Sequence, residues 1–313
     1  MEHEKDTTMN KRHIFLIILE SFLAIGCSRH SHGDEELVPI QLTTSIQARS
    51  AIDRFEKTPL SLIVGKQEND LSQLWTGIAD GGQIKLTPER YYPTDGSTLY
   101  LRGLYPETEI ENNKAHYSLT GNEDLLFADV LTGSATRPFD SGNGTLTFRH
   151  LLAQLNVTIK AGTDFPTEYR LKSIRINGSS SETTLDLLQG ILSFSTEAAP
   201  IYLYYKESHT EGYPLAPNES VSLGSLLVQP GATLTADIVL SRDEVEEHHL
   251  VINDIPIKFE GGSSQTGLAY HVEIKIPTPL HLSAILTEWT DGRNGTGGIT
   301  VPGKKTKENI TNY

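Results

Sequence analysis

The residue types that hold metals or move protons occur in this chain as small, scattered groups. Glu246-Glu247-His248-His249 and the pair His30 and His32 offer imidazole and carboxylate ligands. Adjacent side chains point in different directions and both segments are strongly polar, so adventitious metal binding is the most they predict. The chain contains no His-Glu-x-x-His zinc helix, no Gly-Lys-Ser/Thr phosphate loop and no Gly-x-Ser-x-Gly nucleophile turn. Gly261-Gly262-Ser263-Ser264 and Gly295-Thr296-Gly297-Gly298 lack the strand-to-helix setting that lets glycine loops cradle phosphate, and both read as turns. With 40 Asp and Glu residues present, any chosen carboxylate pair is uninformative about acid–base chemistry. The sequence points away from an enzyme: no catalytic residue, cofactor or resident metal is expected.

The bulk composition narrows the classes further. Against those 40 acidic residues stand 26 Lys and Arg, a net charge of −14 over 313 residues. Phosphate recognition wants a basic surface, so a nucleic-acid partner is excluded. A single cysteine excludes a disulfide framework and any cysteine-based zinc site. The 37% hydrophobic content is low, yet its alternating arrangement is not that of a disordered chain.

Lys11-Arg12 precede an apolar run from Ile14 to Ile25, interrupted by Glu20 and ending at Gly26-Cys27. A basic start, a short apolar stretch and a small-residue exit describe an export signal. The run is too short to span a bilayer core of about 30 Å as a helix. Met9, followed by Asn10-Lys11-Arg12, reads as a better start than Met1. Leu23-Ala24-Ile25-Gly26-Cys27 resembles the bacterial lipobox, although Ala24 stands where leucine is usual. The resemblance implies a signal peptide over 1–26, an acylated Cys27 as first mature residue and an outer-membrane anchor. An ordinary secretory signal with an incidental cysteine is the alternative. Residues 27–36 read as a tether ending in Asp34-Glu35-Glu36, which resembles the surface-export signals of Bacteroidota lipoproteins; a solvated linker reads equally well.

From Leu37 onward, short alternating segments are split by Gly, Pro, Asn and Asp. Leu146-Thr147-Phe148 and Leu155-Asn156-Val157-Thr158-Ile159 put apolar side chains at every second position, hence on one face of a sheet. Thr98 to Arg102 and Thr233 to Leu240 read as strands too, and Tyr202-Leu203-Tyr204-Tyr205 suits one. Helices are expected to be few and short: Asp243 to His249 first, then Asp70 to Trp75 and Leu151 to Ala153. The cluster Asp140-Ser141-Gly142-Asn143-Gly144 divides the chain. The expectation is an all-β protein with an N-terminal sandwich over 37–142, a C-terminal sandwich over 143–303 and a tail over 304–313.

Six segments resemble motifs of the fimbrillins, pilus subunits of Bacteroidales. They are Leu99-Tyr100-Leu101-Arg102-Gly103-Leu104-Tyr105-Pro106, Asp124-Leu125-Leu126-Phe127-Ala128 and Leu146-x-Phe148-x-His150-x-x-Ala153-x-Leu155, followed by Leu227-Val228-Gln229-Pro230, Gly267-Leu268-Ala269-Tyr270 and Ile285-Leu286-Thr287-Glu288-Trp289. They occur in the family's order. The resemblance implies two tandem transthyretin-like β-sandwiches and a structural role in surface fibres, at the outer membrane or within the fimbrium. In this frame Phe148 fills a core, His150 is a hydrogen-bonded structural histidine, and Trp289 covers a sandwich edge.

The resemblance also implies assembly with other fimbrial subunits by strand addition, after an Arg-specific protease removes the first strand. Val38, Ile40 and Leu42 alternate in the first segment, and Arg49 and Arg54 are the candidate cleavage residues. The tail offers Ile299, Val301 and Ile310 amid Gly, Lys, Thr and Asn, a weak donor pattern, so an accessory, anchor or tip subunit reads as well as a stalk subunit. A monomeric surface lipoprotein that binds glycans is the alternative from a different class; two tryptophans and scattered tyrosines give it little platform.

Overall fold

The computed structural model describes residues 37–47, 52–70, 72–139, 144–204, 212–242, 249–276, 283–290 and 293–294. Those from Pro39 onward belong to one compact unit; of the other, Met1–Val38, only the last two residues are described. The strands are β1 (Leu42–Ile46), β2 (Thr58–Gly65), β3 (Gln73–Asp80), β4 (Gln83–Thr87), β5 (Leu99–Tyr105), β6 (Ile110–Glu111) and β7 (Lys114–Ser118). Then come β8 (Leu126–Gly133), β9 (Thr145–His150), β10 (Ala153–Ala161), β11 (Arg170–Asn177), β12 (Glu182–Asp186), β13 (Ile191–Phe194) and β14 (Ile201–Tyr204). The last are β15 (Tyr213–Pro214), β16 (Ser220–Val228), β17 (Leu234–Ser241), β18 (Leu250–Ile257), β19 (Ala269–Ile276), β20 (Ser283–Thr290) and β21 (Arg293–Asn294).

No helix occurs among the described residues, which corrects two of the three helical expectations. Asp70 forms an isolated bridge with Gln67, and Gln73 already starts β3, where Trp75, Gly77 and Ala79 turn inward at period two. Leu151 and Leu152 link β9 to β10, and the Leu151 amide donates to Leu125 O (2.9 Å). Apolar runs this short cannot meet the cost of nucleating a helix, so tertiary pairing decides. The third segment, Asp243 to His249, lies outside the described residues except for His249.

Seven strands, in the order β1-β4-β3-β2-β5-β8-β9, close on themselves as a barrel. The β3–β4 hairpin turns through Gly81 (φ 55°) and Gly82 (φ 84°), the left-handed backbone of a two-residue turn whose twist matches its strands. β2 reads Leu-Ser-Leu-Ile-Val from residue 60, and all five are buried. Both faces are covered, because Ile63 belongs to a second core with Leu104, Ala115, Leu125, Phe127, Leu152 and Leu185. That core brings barrel residues together with residues of a four-stranded sheet, β13-β12-β7-β6. In it β7 pairs with β12 across a long stretch of chain, Tyr117 opposite Thr183.

Two further sheets, β16-β10-β19-β20-β21 and β14-β11-β17-β18, form a sandwich. Leu155, Val157 and Ile159 from β10 share one core with Val272 and Ile274 from β19 and with Leu171, Ile174, Ile176, Ala236 and Ile238 from the facing sheet. Each fully buried Leu or Ile contributes about 1.5–3 kcal/mol. In each sheet one outer strand, β16 or β18, is irregular where it pairs. β16 shifts register opposite Val157/Thr158, at Gly224. β18 shifts opposite Ala236/Ile238, carries Pro256 and holds Asp254 at φ 58°. Bulges and proline on an outer strand discourage pairing with another chain.

The β18 bulge is tied down by Asp237. Its Oδ1 accepts from the Asp254 amide (2.8 Å), and its Oδ2 accepts from Arg175 Nε (2.7 Å) and Asn177 Nδ2 (3.0 Å). Burial pushes the Asp237 carboxyl up, but these three hydrogen bonds and the Arg175 charge outweigh it and hold the group below its usual range. A carboxyl depressed by folding contributes stability that is fully present above its unfolded value, near 3.9, and lost as pH falls through the folded one. The stability gap between wild type and Asp237→Asn, read from urea melts, is therefore constant from pH 7 to about 5 and shrinks below about 4. A gap that does not change down to pH 2 sinks this assignment.

Gly103 in β5 sets a second constraint, because a Cβ there would lie 2.5 Å from Phe148 Cζ and 2.8 Å from Leu146 Cδ2. Phe148 is fully buried and meets Phe55 edge-on with ring centroids 5.1 Å apart, so the ring has little room to yield. Gly103→Ala is expected to cost about 1–3 kcal/mol in denaturant melts. A variant as stable as wild type contradicts that packing.

Candidate strand-exchange site

The first strand is held in the barrel by few bonds and many hydroxyls. β1 pairs antiparallel with β4 at two positions only, Leu42 with Ile84 and Thr43 with Gln83. Along β9 it runs parallel through four pairs, from Thr43–Thr145 to Ile46–Phe148. The Thr44 amide donates to Gly82 O (2.9 Å), the Gln47 amide to Phe148 O (2.9 Å) and the Ile40 amide to Arg90 O (2.8 Å). Ile40, Leu42 and Thr44 face inward and are buried. Thr44 is accepted there because its Oγ1 donates to Leu146 O at 3.1 Å. On the outer side Thr43 meets Thr145 (3.0 Å) and Ser45 meets Thr147 (3.2 Å), hydroxyl to hydroxyl.

Arg54 lies in the connection that follows β1. Its side chain is 78% exposed and pairs with Glu56 at 2.6 Å. The next residue, Phe55, is buried against Phe148 and Tyr105. The chain thus passes from an exposed arginine to an anchored aromatic in one step. Arg49 and Cys27, the other residues singled out for processing, lie outside the described residues, as do His30 and His32.

His150 is buried and its Nδ1 lies 3.0 Å from Asp124 Oδ1, with side-chain exposures of 1% and 3%. Asp124 opens one of the quoted motifs and His150 lies in another, so folding joins the two. The neighbouring bonds join more of them. Leu151 N donates to Leu125 O, Gly267 N to Leu152 O (2.9 Å), Gln154 N to Leu268 O (2.9 Å) and Leu227 N to Gly121 O (2.7 Å). With Gly103 against Leu146 and Phe148, and Leu227 opposite Gln154, five of the six motif segments meet around β9 and the start of β10. Trp289 sits in β20 opposite Asn294 of β21. Reading the residues singly missed the Asp124 partner, the Phe55 anchor and the Thr43-Thr44-Ser45 run. Only the last has a local signal, three hydroxyl residues directly after an alternating apolar pair.

A shallow cavity of about 390 Å³ lies over β7, β12 and β13, with His116, Ser118, Glu182, Thr184, Ser193 and Ser195 among its lining residues. Its hydroxyls are largely occupied: Thr184 Oγ1 contacts His116 Nδ1 (3.0 Å), and Ser195 Oγ contacts Ser180 Oγ (3.0 Å). Of its aromatic members, Tyr117 is buried in the second core and Phe194 is half-buried against it. Among the described residues no group of three His, Cys, Asp or Glu could hold a metal ion.

The model of the fimbrillin-like family matches residues 65–301. The chain belongs to that family. A candidate cell adhesion protein of Bacteroides uniformis is 17% identical to this fimbrillin-like chain, with a TM-score of 0.58 covering 81% of this chain and 99% of that one. A candidate cell adhesion protein of Parabacteroides distasonis is 10% identical, with a TM-score of 0.52 covering 83% and 98%. At such identities the likeness is one of fold. No curated protein matches the chain.

The buried Asp124–His150 pair yields a direct prediction. Neither Asp124 Oδ2 nor His150 Nε2 has a hydrogen-bond partner among the described residues. Removing the imidazole leaves a buried carboxyl with no partner, so His150→Ala is expected to cost about 3–5 kcal/mol in urea melts. A loss under about 1 kcal/mol contradicts the pair's role in joining the motif segments.

Proposed function

We propose that this fimbrillin-like chain is a structural or accessory subunit of a cell-surface fimbria, exported as a lipoprotein on Cys27 and serving adhesion. It joins other subunits by strand replacement: a cut at Arg49 or Arg54 frees β1, and a partner's extended segment takes its place between β4 and β9. The observation that carries this reading is the seating of β1, a separable segment whose departure unpairs both neighbours at once. Losing Ile40 and Leu42 from the interior forfeits about 3–6 kcal/mol of apolar burial. That is a large share of a domain's net stability of about 5–15 kcal/mol, so the opened barrel strongly favours a replacement.

A two-part organisation is included in the proposal. The barrel strands fall at or before His150 and the sandwich strands at or after Ala153, which supports two units joined through β9 and β10. The bulged β16 and β18 edges are poor places for pairing with another chain, which supports the barrel slot over them as the joining place. A monomeric glycan-binding role is the second reading, with the hydroxyl-lined cavity as its site, where Tyr117 is buried and only the half-buried Phe194 offers an aromatic ring.

The test is Arg-specific proteolysis of the full chain, with intact mass and light scattering followed together. The expected result is a clip at Arg49 or Arg54, loss of the N-terminal segment and uptake of strands from partner subunits. A clipped chain that keeps its N-terminal segment and never binds a partner strand overturns the reading, and glycan screening of the cavity then takes priority.

A further inference from the structure

Apolar alternation alone does not set where a strand stops in the slot. The inward positions of β1 and its flanks are Ile40, Leu42, Thr44 and Ile46. Sliding by one residue turns every side chain to the wrong face, but sliding by two keeps the apolar face inward. The outer hydroxyls oppose such a slide only in part, because one of their two pairs is kept and the other meets Gln41 or Gln47. Two residues forward, Thr43 takes the place of Ser45 beside Thr147; two backward, Ser45 takes the place of Thr43 beside Thr145. Thr44 is different. A slide of two brings Leu42 or Ile46 to its place, and the hydrogen bond to Leu146 O is lost at a position only 7% exposed. The inward hydroxyl bond is lost in both slides, together with one of the two outer pairs, and it is the only one of the three at a buried position.

We propose that the slot selects its incoming strand by a hydroxyl as well as by apolar side chains, an inference that rests on the strand-replacement reading. The partner segment carries two apolar residues at alternate positions followed by three consecutive Ser or Thr, and it runs parallel to β9. The middle hydroxyl donates to Leu146 O and fixes the register; the outer two bond Thr145 and Thr147. This pattern fits a donor segment different from residues 299–304 of this chain. In the tail, Ile299-Thr300-Val301 supplies the apolar pair, but Pro302, Gly303 and Lys304 occupy the three hydroxyl places. Proline has no amide hydrogen to give, and glycine has no hydroxyl.

The experiment uses the full chain nicked at Arg49 or Arg54 and fluorescent peptides that exchange into the slot. The peptide of residues 39–49 is expected to bind, and its Thr44→Val form about fivefold to tenfold more weakly, the size of one neutral buried hydrogen bond. A peptide of residues 297–307 is expected to bind more weakly still. Equal or tighter binding of the Thr44→Val peptide overturns the selection while leaving strand replacement intact. Failure of the 39–49 peptide to bind overturns both. In the uncut chain, Thr44→Val is expected to speed hydrogen exchange at the Gln47 amide by a similar factor, and unchanged protection there also overturns the proposal.

Discussion

The parallel pairing of β1 with β9 is the contact on which the barrel depends. β4 and β9 are both edges without it, and β1 satisfies one on each side while its inward residues fill the interior between them. The pairing joins residues about a hundred positions apart, so it carries the loop-closure entropy of that long stretch of chain. β1 makes four register pairs with β9 and two with β4, so it holds more of the β9 edge than β8 does with three. The same geometry closes the barrel through its first strand.

The second organising feature is the convergence of motif segments around His150. Asp124 and His150 meet in a region sealed from water, and the backbone bonds from Leu151, Gln154, Leu227 and Gly267 gather the surrounding chain. Gly267 belongs there because a Cβ would press on His150 O at 3.2 Å. A polar pair in a dry interior is costly when either partner is missing, which makes it a stronger constraint on which segments meet than apolar contact is. It lies where β9 of the barrel hands over to β10 of the sandwich, so it fixes the junction between the two cores.

The local pattern made much of the fold legible. Leu146-Thr147-Phe148 and Leu155 to Ile159 alternate cleanly, and both are strands with those residues buried. Leu60 to Val64 does not alternate, because the barrel covers one face and a second core the other. The short apolar stretches at Trp75 and Leu151 look helical only while their partners are unknown; cross-strand pairing resolves them as extended chain.

The amino-acid order alone determined the class of structure and the family, since these rest on side-chain period and motif order. Which strands become neighbours was decided only in three dimensions. No local feature of Thr43-Thr44-Ser45 says that a parallel partner lies at Thr145 to Thr147, nor does Asp124 announce His150. Hydrogen bonds between distant segments depend on the path the whole chain takes, and that path is set by the simultaneous burial of every apolar face.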